Sequence, residues 1–262
     1  AEPEGAGDGG VVEPDDRNVR RARASEIADK KIAECRIADS LSNYELNVII
    51  ENAGKLVNTA FHDYAPIISG DGNTLIFTSN RSENENELKA GTNYEDIYIT
   101  RMADPWTAEG GRTMISKPEL PWELAGGSPS VNEAPQFLHR GNKVFVTYSA
   151  SGCWTDEYRL GLLYADATAD ILSAASWTKS PEPVFEKNPS SLAYGPGHNC
   201  FFKSLDGTED WMVYHANPAA NQGCADNRSM RMQKFTWNGN GFPEFGEPAA
   251  IGASLLIPSG EK

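Results

Sequence analysis

Three ionisable side chains stand at matching points in three similar segments of the chain: Asp63, Glu133 and His198. Each occupies the polar entry to a short apolar strand, within about one residue of a common register. If the three entries converge on one axis, they bring two carboxyl groups and an imidazole together. Two carboxyl groups suit hydrolysis of a glycosidic bond: one protonates the leaving oxygen, and the other activates water from about 6.5–9.5 Å away in inverting enzymes. On spacing alone, the alternative for Glu133 is a structural acid that caps a turn.

The segments that carry these residues repeat one pattern. They are DYAPIISGDGNTLIFTSNR, NEAPQFLHRGNKVFVTYSAS and GPGHNCFFKSLDGTEDWMVYHA, and each passes through a glycine turn into an alternating strand. The turn glycines Gly72, Gly141 and Gly207 are 69 and 66 residues apart. Further strand candidates follow each segment, giving units of four short strands. This repeat predicts the blades of a β-propeller. A β-sandwich also has short strands, but it would not explain the internal repeat. Because closed propellers have roughly four to eight blades, three units predict an incomplete ring.

The segments before the repeats differ in composition. Residues 1–14 are rich in Gly, Glu and Asp, which predicts a disordered tail. Residues 15–43 contain neither Gly nor Pro and place apolar residues along one face, which predicts a helix. The first ten residues lack the basic start and apolar centre of a signal peptide, so we expect that one has been removed or that none existed.

Charge and cysteine content exclude several classes of function. The chain has 262 residues and a formal net charge of −14, which disfavours nucleic acid and anionic membranes as partners. No apolar run approaches the ~20 residues that span a bilayer. The four cysteines, Cys35, Cys153, Cys200 and Cys224, form no CxxC pair, so no structural zinc site is predicted. A disulfide between Cys200 and Cys224 is one option in a secreted protein.

Long strings in residues 101–262 resemble a known enzyme family. They include VNEAPQFL, FVTYSASGCWTDEYRLGLLYAD, YGPGHNCFFKSLDGTEDWMVYHA and RSMRMQKFTWNGNGFPEFG. This part resembles the C-terminal part of glycoside hydrolase family 43, the five-bladed propellers that include α-L-arabinofuranosidases, β-xylosidases and arabinanases. The resemblance implies inverting hydrolysis by three acidic residues: a general base, a general acid and an Asp that tunes the pKa of the acid.

The resemblance also implies roles for individual residues. Glu133, in the "NEAP" string, matches the general acid. His198, in "GPGHN", matches a histidine that helps to hold a central calcium ion through channel waters and lies near the substrate. Arg231 matches an arginine that faces the substrate, with a strand-surface salt bridge as the alternative. Trp154 and Trp122 are candidates for stacking on a sugar, and core packing is their alternative.

The first hundred residues depart from the family pattern. Family 43 enzymes begin with two blades that this chain lacks, and the first of these carries the general base, which is therefore unknown here. The single "ADP" string contains Asp104 but aligns better with a non-catalytic stretch of the family. Residues 44–100 resemble instead a WD-like blade of bacterial envelope (OmpA-associated) proteins, which implies a join near residues 99–101. In that blade Asp63 is structural, yet it falls near the place of the family's pKa-tuning carboxylate.

The sequence therefore predicts an all-β, incomplete propeller of about three blades with an N-terminal helix. It predicts a family 43-like hydrolase of α-L-arabinofuranosyl or β-xylosyl linkages in plant polysaccharides, impaired by the missing blades. The arabinofuranosyl branch is favoured by the strings around "SASGCWT" and "YGPGHN". The alternative is a non-catalytic carbohydrate-binding or cell-envelope scaffold module. We expect no required cofactor beyond structural calcium, and a secreted, periplasmic or envelope location. Open sheet edges predict either capping by the N-terminal helix or a homo-oligomer.

Overall fold

The computed structural model describes residues 53–59, 61–81, 94–224 and 226–261. The predicted tail (1–14) and helix (15–43) lie outside the described residues, so their predictions stay open. Within the described part, no helix is long and apolar enough to cross a membrane.

β-Strands dominate the described residues, in twelve segments joined by turns and two short 3-10 helices. Alternating apolar and polar residues with many Val, Ile, Tyr and Phe favour this conformation. The elements are β1 (Asp63–Ile68), β2 (Thr74–Ser79), β3 (Tyr94–Asp104), β4 (Thr107–Ser116), β5 (Ser130–Arg140), β6 (Lys143–Ala150), β7 (Arg159–Asp166), η1 (Ala174–Ser176), β8 (Thr178–Lys179), η2 (Pro189–Ser191), β9 (Tyr194–Lys203), β10 (Asp210–Asn217), β11 (Ser229–Trp237) and β12 (Pro243–Glu244).

The strands form three antiparallel meanders of four, which we call blade I (β1–β4), blade II (β5–β8) and blade III (β9–β12). A short parallel pairing, Tyr94 with Ser130 and Glu95 with Val131, joins β3 of blade I to β5 of blade II. The predicted three units of four strands are therefore confirmed. The join predicted near residues 99–101 falls inside β3, a strand that is paired on both sides.

The blades pack face to face through buried apolar side chains. One cluster lies between blades I and II and includes Ile97 and Ile99 of β3 with Val146 and Tyr148 of β6. A second cluster lies between blades II and III and includes Leu160, Phe185, Met212, Tyr214 and Phe235. Burial of this area excludes water from both faces of blade II and stabilises the stack. The first strand of each blade is thereby held in a fixed register next to its neighbours.

Local backbone geometry explains why the three repeats look alike. The turn glycines Gly72, Gly141 and Gly207 all have a positive φ, of 75°, 56° and 72°, which residues with a side chain rarely adopt. These glycines close the hairpins between the first two strands of each blade. The alignment of the three turns in the sequence is therefore confirmed by their shared backbone conformation.

Candidate active site

The first strand of each blade (β1, β5 and β9), which we call its innermost strand, contains a β-bulge near its start. The bulge interrupts the regular alternation of side chains between the two faces of the sheet. The bulges contain Ala65 in β1, Ala134 in β5 and His198 in β9, whose φ angles are 50°, 52° and 51°. The strand pairing slips at each of these places. Bulges are frequent next to active sites, where they redirect a side chain. The three bulges therefore define equivalent positions more accurately than the charged residues do.

The bulges place the three predicted ionisable residues at three different positions. Glu133 directly precedes its bulge residue, Asp63 lies two residues before Ala65, and His198 is itself the bulge residue. The residue of blade I that matches Glu133 is therefore Tyr64. The strings "DYAP" and "NEAP" contain the signal that would have shown this, because their Ala-Pro pairs align Tyr64 with Glu133.

Glu133 is half-buried and lies between two phenols. The Tyr158 hydroxyl donates to its Oε1 over 2.6 Å, and the Tyr64 hydroxyl lies 2.9 Å from its Oε2. Burial, followed by the negative charge of Glu133, raises the pKa of both tyrosines far above the usual value. Both phenols therefore keep their protons at neutral pH. The two hydrogen-bond contacts fix the position of the Glu133 carboxyl group.

A second carboxyl group adjoins the same cluster. The Tyr64 hydroxyl also makes a short hydrogen bond to Oε2 of Glu95, at the start of β3. Burial raises the pKa of Glu95 above its ordinary value, and the neighbouring charge of Glu133 acts in the same direction. The sequence alone did not single out Glu95 or Tyr64, because their contact depends on the pairing of β1, β2 and β3.

Basic groups lie on the other side of Tyr158. The ring of His215 stacks on Tyr158, with centroids 5.8 Å apart and planes 1° apart, and Nη1 of Arg228 lies 3.3 Å from His215 Nε2. Burial, with the positive charges of Arg228 and His198, lowers the pKa of His215 to about 4. Gly197 permits this packing, since a Cβ there would lie 2.3 Å from Tyr158 Cε1. The sequence did not single out His215, Arg228 or Tyr158.

His198 lies at the edge of this cluster. Its side chain is exposed, its ring centroid is 6.2 Å from that of His215, and its backbone N–H donates to Ser149 Oγ over 2.7 Å. Among the residues that the structure describes, no three His, Cys, Asp or Glu side chains are grouped to hold a metal ion. The calcium ion that the resemblance implies therefore stays a prediction.

Asp63 has several partners close to its own strand. Its carboxylate forms an ion pair with Arg81 over 2.9 Å and accepts hydrogen bonds from Ser79 Oγ and from the Thr59 N–H and hydroxyl. These contacts hold the chain before β1 onto β2. These contacts favour the structural alternative for Asp63, because its carboxylate is engaged by neighbours within blade I; the role in tuning Glu133 stays a prediction.

Arg231 also has close partners. Its guanidinium is buried and donates to the carbonyl oxygens of Ser191, Leu192 and Ala249, over 3.2, 2.5 and 2.9 Å. These contacts connect β11 to η2 and to the segment after β12. In this arrangement Arg231 connects backbone segments and forms no salt bridge with a described residue, and its contact with a substrate stays a prediction. The arginine that does adjoin the cluster is Arg228, three residues earlier.

The two candidate tryptophans have different surroundings. Trp154 is 41% exposed and donates through Nε1 to the Gly126 carbonyl, so it remains available to a sugar at the surface. Trp122 packs against the cluster between blades I and II, stacks on Tyr148 and donates to the Pro181 carbonyl. The structure therefore favours the core alternative for Trp122 and leaves the prediction for Trp154 open.

The disulfide differs from the option considered from the sequence. Cys153 is bonded to Cys224, and Cys200 is a free, exposed thiol. The bond connects the loop after β6 in blade II to the loop before β11 in blade III. Sequence spacing could not show this pairing, because 71 residues separate the two cysteines.

A fully buried acid supports the strand entry that carries Glu133. Glu123 is 0% exposed, pairs with Lys179 over 3.0 Å, and accepts from the Tyr148 hydroxyl over 2.8 Å and from the Asn132 amide over 3.1 Å. Its other oxygen accepts two backbone N–H groups. Because Asn132 immediately precedes Glu133, this network fixes the backbone from which the candidate acid projects.

One family model and several named arabinofuranosidases are similar to this chain in sequence. The family model "Glycosyl hydrolases family 43" matches residues 51–243. This range includes residues 51–100, for which the sequence suggested an envelope-type blade; that second resemblance and the proposed domain boundaries stay predictions. An extracellular exo-α-(1→5)-L-arabinofuranosidase of Streptomyces avermitilis is 46% identical over 170 residues, which cover 63% of this chain and 34% of that protein. The α-L-arabinofuranosidase B of Pyricularia oryzae is 41% identical over 165 residues, 60% of this chain and 32% of that protein.

Solved structures give the same fold. The α-L-arabinofuranosidase from Lactobacillus brevis superposes with a TM-score of 0.65 and 33% identity, covering 79% of this chain and 61% of that one. A thermostable family-43 glycoside hydrolase superposes with a TM-score of 0.63 and 22% identity, covering 79% and 64%. The all-β propeller architecture is thus confirmed. The chain spans about a third of the length of the curated relatives it matches.

Proposed function

The chain belongs to glycosyl hydrolases family 43, and we propose that its described blades carry the general-acid side of a site that hydrolyses α-L-arabinofuranosyl linkages. The observation that carries this proposal is the position of Glu133. Its carboxyl group projects from a bulge in the innermost strand of the middle blade and is held by the phenols of Tyr64 and Tyr158. A structural acid that caps a turn would bond to backbone N–H groups, whereas Glu133 contacts two side-chain hydroxyl groups.

The proposed step is a proton transfer from Glu133. The protonated carboxyl group gives its proton to the glycosidic oxygen as the bond to the anomeric carbon breaks, and water attacks that carbon from the opposite face. Water loses its proton to a general base, and the sugar is released with inverted configuration. Tyr158 then donates a hydrogen bond that stabilises the resulting carboxylate. The neutral ring of His215 stacks on the Tyr158 phenol and holds it in place.

Glu95 does not fit the role of that general base. Oxygens of Glu95 and Glu133 both contact the hydroxyl of Tyr64, so they lie no more than about 6 Å apart by ordinary hydrogen-bond lengths. Inverting enzymes place the two carboxyl groups about 6.5–9.5 Å apart to admit water. The phenol of Tyr64 also occupies the space between the two groups. We therefore leave the general base unassigned.

The substrate class and location are inferred from the relatives. Curated relatives at 40–46% identity carry arabinofuranosidase names, and two of them are named extracellular. We infer an arabinose-containing polysaccharide as the substrate and action outside the cytoplasm. The alternative of a non-catalytic binding or scaffold module is not favoured, since the named relatives are hydrolases.

The test compares leaving groups. We expect Glu133→Gln to lower kcat on phenyl α-L-arabinofuranoside by about 10²–10⁴-fold, because the poor leaving group needs protonation. The loss on 2,4-dinitrophenyl α-L-arabinofuranoside should be much smaller, since this leaving group departs without a proton. Glu244→Gln, at an exposed site on β12, is the control and should behave as wild type. Equal losses on both substrates, or no wild-type turnover on either, would contradict the proposal.

A further inference from the structure

One phenol oxygen connects two carboxyl groups at the centre of the proposed site. Tyr64 Oη makes hydrogen-bond contacts with Glu95 Oε2 and with Glu133 Oε2. Three different segments supply these groups: Tyr64 comes from β1, Glu95 from β3 and Glu133 from β5. The shared contact is thus a product of the tertiary fold and joins blade I to blade II at the parallel pairing of β3 and β5.

The number of protons limits how these contacts can be satisfied. A phenol has one proton to donate, and an ionised carboxylate can only accept. When Tyr64 donates to one carboxylate, its oxygen can accept only from a protonated carboxyl group on the other side. Both contacts are hydrogen bonds only when Glu95 and Glu133 hold at least one proton between them.

We propose that Glu95 is a positioning residue for Glu133, and that the two carboxyl groups share one proton through the phenol of Tyr64. The inference rests on the proposed role of Glu133 as general acid, which it deepens. In one state Glu133 carries the proton and donates to Tyr64, which donates to Glu95. In the other state Glu95 carries the proton, Tyr64 donates to Glu133, and no net charge has moved out of the array. After Glu133 has given its proton to a leaving group, both carboxylates are ionised; a proton that Glu95 then takes up from water can pass to Glu133 through Tyr64 and restore the acid.

The surroundings favour one shared proton over none. Two ionised carboxylates on one phenol repel each other, so loss of the last proton is disfavoured. Glu133 is also faced by Tyr158, a neutral donor, whose neighbours are His215, His198 and Arg228. On the other side, the exposed His62 acts on Glu95 in the opposite sense, favouring the ionised form. None of these groups supplies a hydrogen bond that replaces the phenol of Tyr64.

The test is a carbon-13 NMR titration of protein labelled at the glutamate carboxyl carbon, which requires no turnover. The Glu133 and Glu95 signals are assigned by their loss in Glu133→Gln and Glu95→Gln. In the wild type we expect the pair to titrate in two steps separated by more than about one pH unit. In Glu95→Gln the signal of Glu133 should titrate in one step, at a lower pH than the upper step of the pair. Since the interaction is mutual, Glu133→Gln should lower the pH at which Glu95 titrates by a similar amount.

Two further variants separate proton sharing from simple structural support. Tyr64→Phe removes the bridging hydroxyl and should bring the two steps closer together; its folding is checked by circular dichroism. Glu244→Gln should leave both signals unchanged. Independent single-step titrations of Glu95 and Glu133 in the wild type would overturn the inference even if the protein hydrolyses arabinofuranosides. Coupled titration without any hydrolysis would uphold the shared proton and count against the proposed function instead.

Discussion

The entries to β1 in blade I and β5 in blade II share one backbone design and differ in chemistry. Both contain a bulge at an alanine with a positive φ, followed by proline. The residue before the alanine is Tyr64 in blade I and Glu133 in blade II, and these two side chains contact each other. The residue before that is anchored in both blades: Asp63 by Arg81 and Asn132 by Glu123.

This comparison shows how a repeated fold produces a site that is not repeated. The bulge points one side chain per blade toward the same place, and the anchoring residue fixes the strand from which it projects. Because the backbone supplies the direction, a single change of residue type decides whether a blade contributes an acid or a phenol. The site therefore consists of unlike groups on like supports.

The largest effect is expected from removing the anchor of blade II. Glu123→Ala removes the carboxylate nearest to Lys179 and leaves the Tyr148 hydroxyl and the Asn132 amide without their acceptor, so it should lower the free energy of unfolding by about 3–5 kcal/mol. Glu119→Ala removes a half-exposed carboxylate 3.5 Å from the same lysine and should cost less than about 1 kcal/mol. Urea denaturation of both variants provides the measurement. Similar losses would mean that the blade II entry does not depend on Glu123.

The next effect concerns Tyr158, whose hydroxyl donates to Oε1 of Glu133. Gly197→Ala places a Cβ against Tyr158 and should destabilise the protein by about 1–3 kcal/mol through overpacking. It should also weaken the Tyr158–Glu133 hydrogen bond and shift the titration of Glu133. Gly239→Ala, where no atom lies within 4 Å of an added Cβ, is the matched control. If the Gly197→Ala protein is less stable but Glu133 titrates at the same pH, the Tyr158 hydrogen bond does not influence Glu133 as proposed.

A smaller effect should follow when the anchor of blade I is made to resemble that of blade II. Asp63→Asn removes the charge that pairs with Arg81 while it keeps an amide oxygen for Ser79, so we expect a loss of about 1–2 kcal/mol. The titration of Glu133 should not change, because Asp63 acts within blade I. Thermal unfolding and the carboxyl NMR signal measure the two quantities. A shift of the Glu133 signal would support the tuning role that the sequence suggested.

The last effect is the pH dependence of the support that His215 gives to Tyr158. The folded pKa of His215, about 4, lies below the ordinary value of 6.5, so the unfolded chain binds the proton more readily. Stability from this group is present above about pH 6.5 and is lost as the pH falls toward 4, by up to about 3 kcal/mol. His215→Phe should reduce this dependence, whereas His139→Gln, at an exposed site, should not. Chemical denaturation at pH 7 and pH 5 makes the comparison.

The sequence predicted the features of the fold that depend on local patterns. Glycine turns and alternating strands recur at similar spacings, so the three units of four strands could be identified from residues such as Gly72 and Gly141. Glu133 was found because a family string surrounds it. The partners of Glu133 could not be predicted in this way: Glu95 reaches it through strand pairing, and Tyr158 reaches it across the close approach of Gly197.

The observed surroundings of the predicted site residues also have physical causes that the sequence does not show. Asp63 was aligned by charge, whereas the bulge is marked by Ala65 and the proline after it, and this moved the register by one residue. Arg231 was assigned from a string, but its guanidinium satisfies carbonyl oxygens of segments that are distant in sequence. Glu123 carries no local signal, since its importance arises from burial beside Lys179.

The Cys153–Cys224 bond has a consequence for the survival of the protein among proteases. Strands β7 to β10 lie within the covalent loop that this bond closes. A single peptide cut anywhere in that loop, for example in the turn around the exposed Leu205, leaves one covalently continuous molecule. The nicked protein should run as one band on a non-reducing denaturing gel and as two after reduction. Such damage would not release either part of blades II and III.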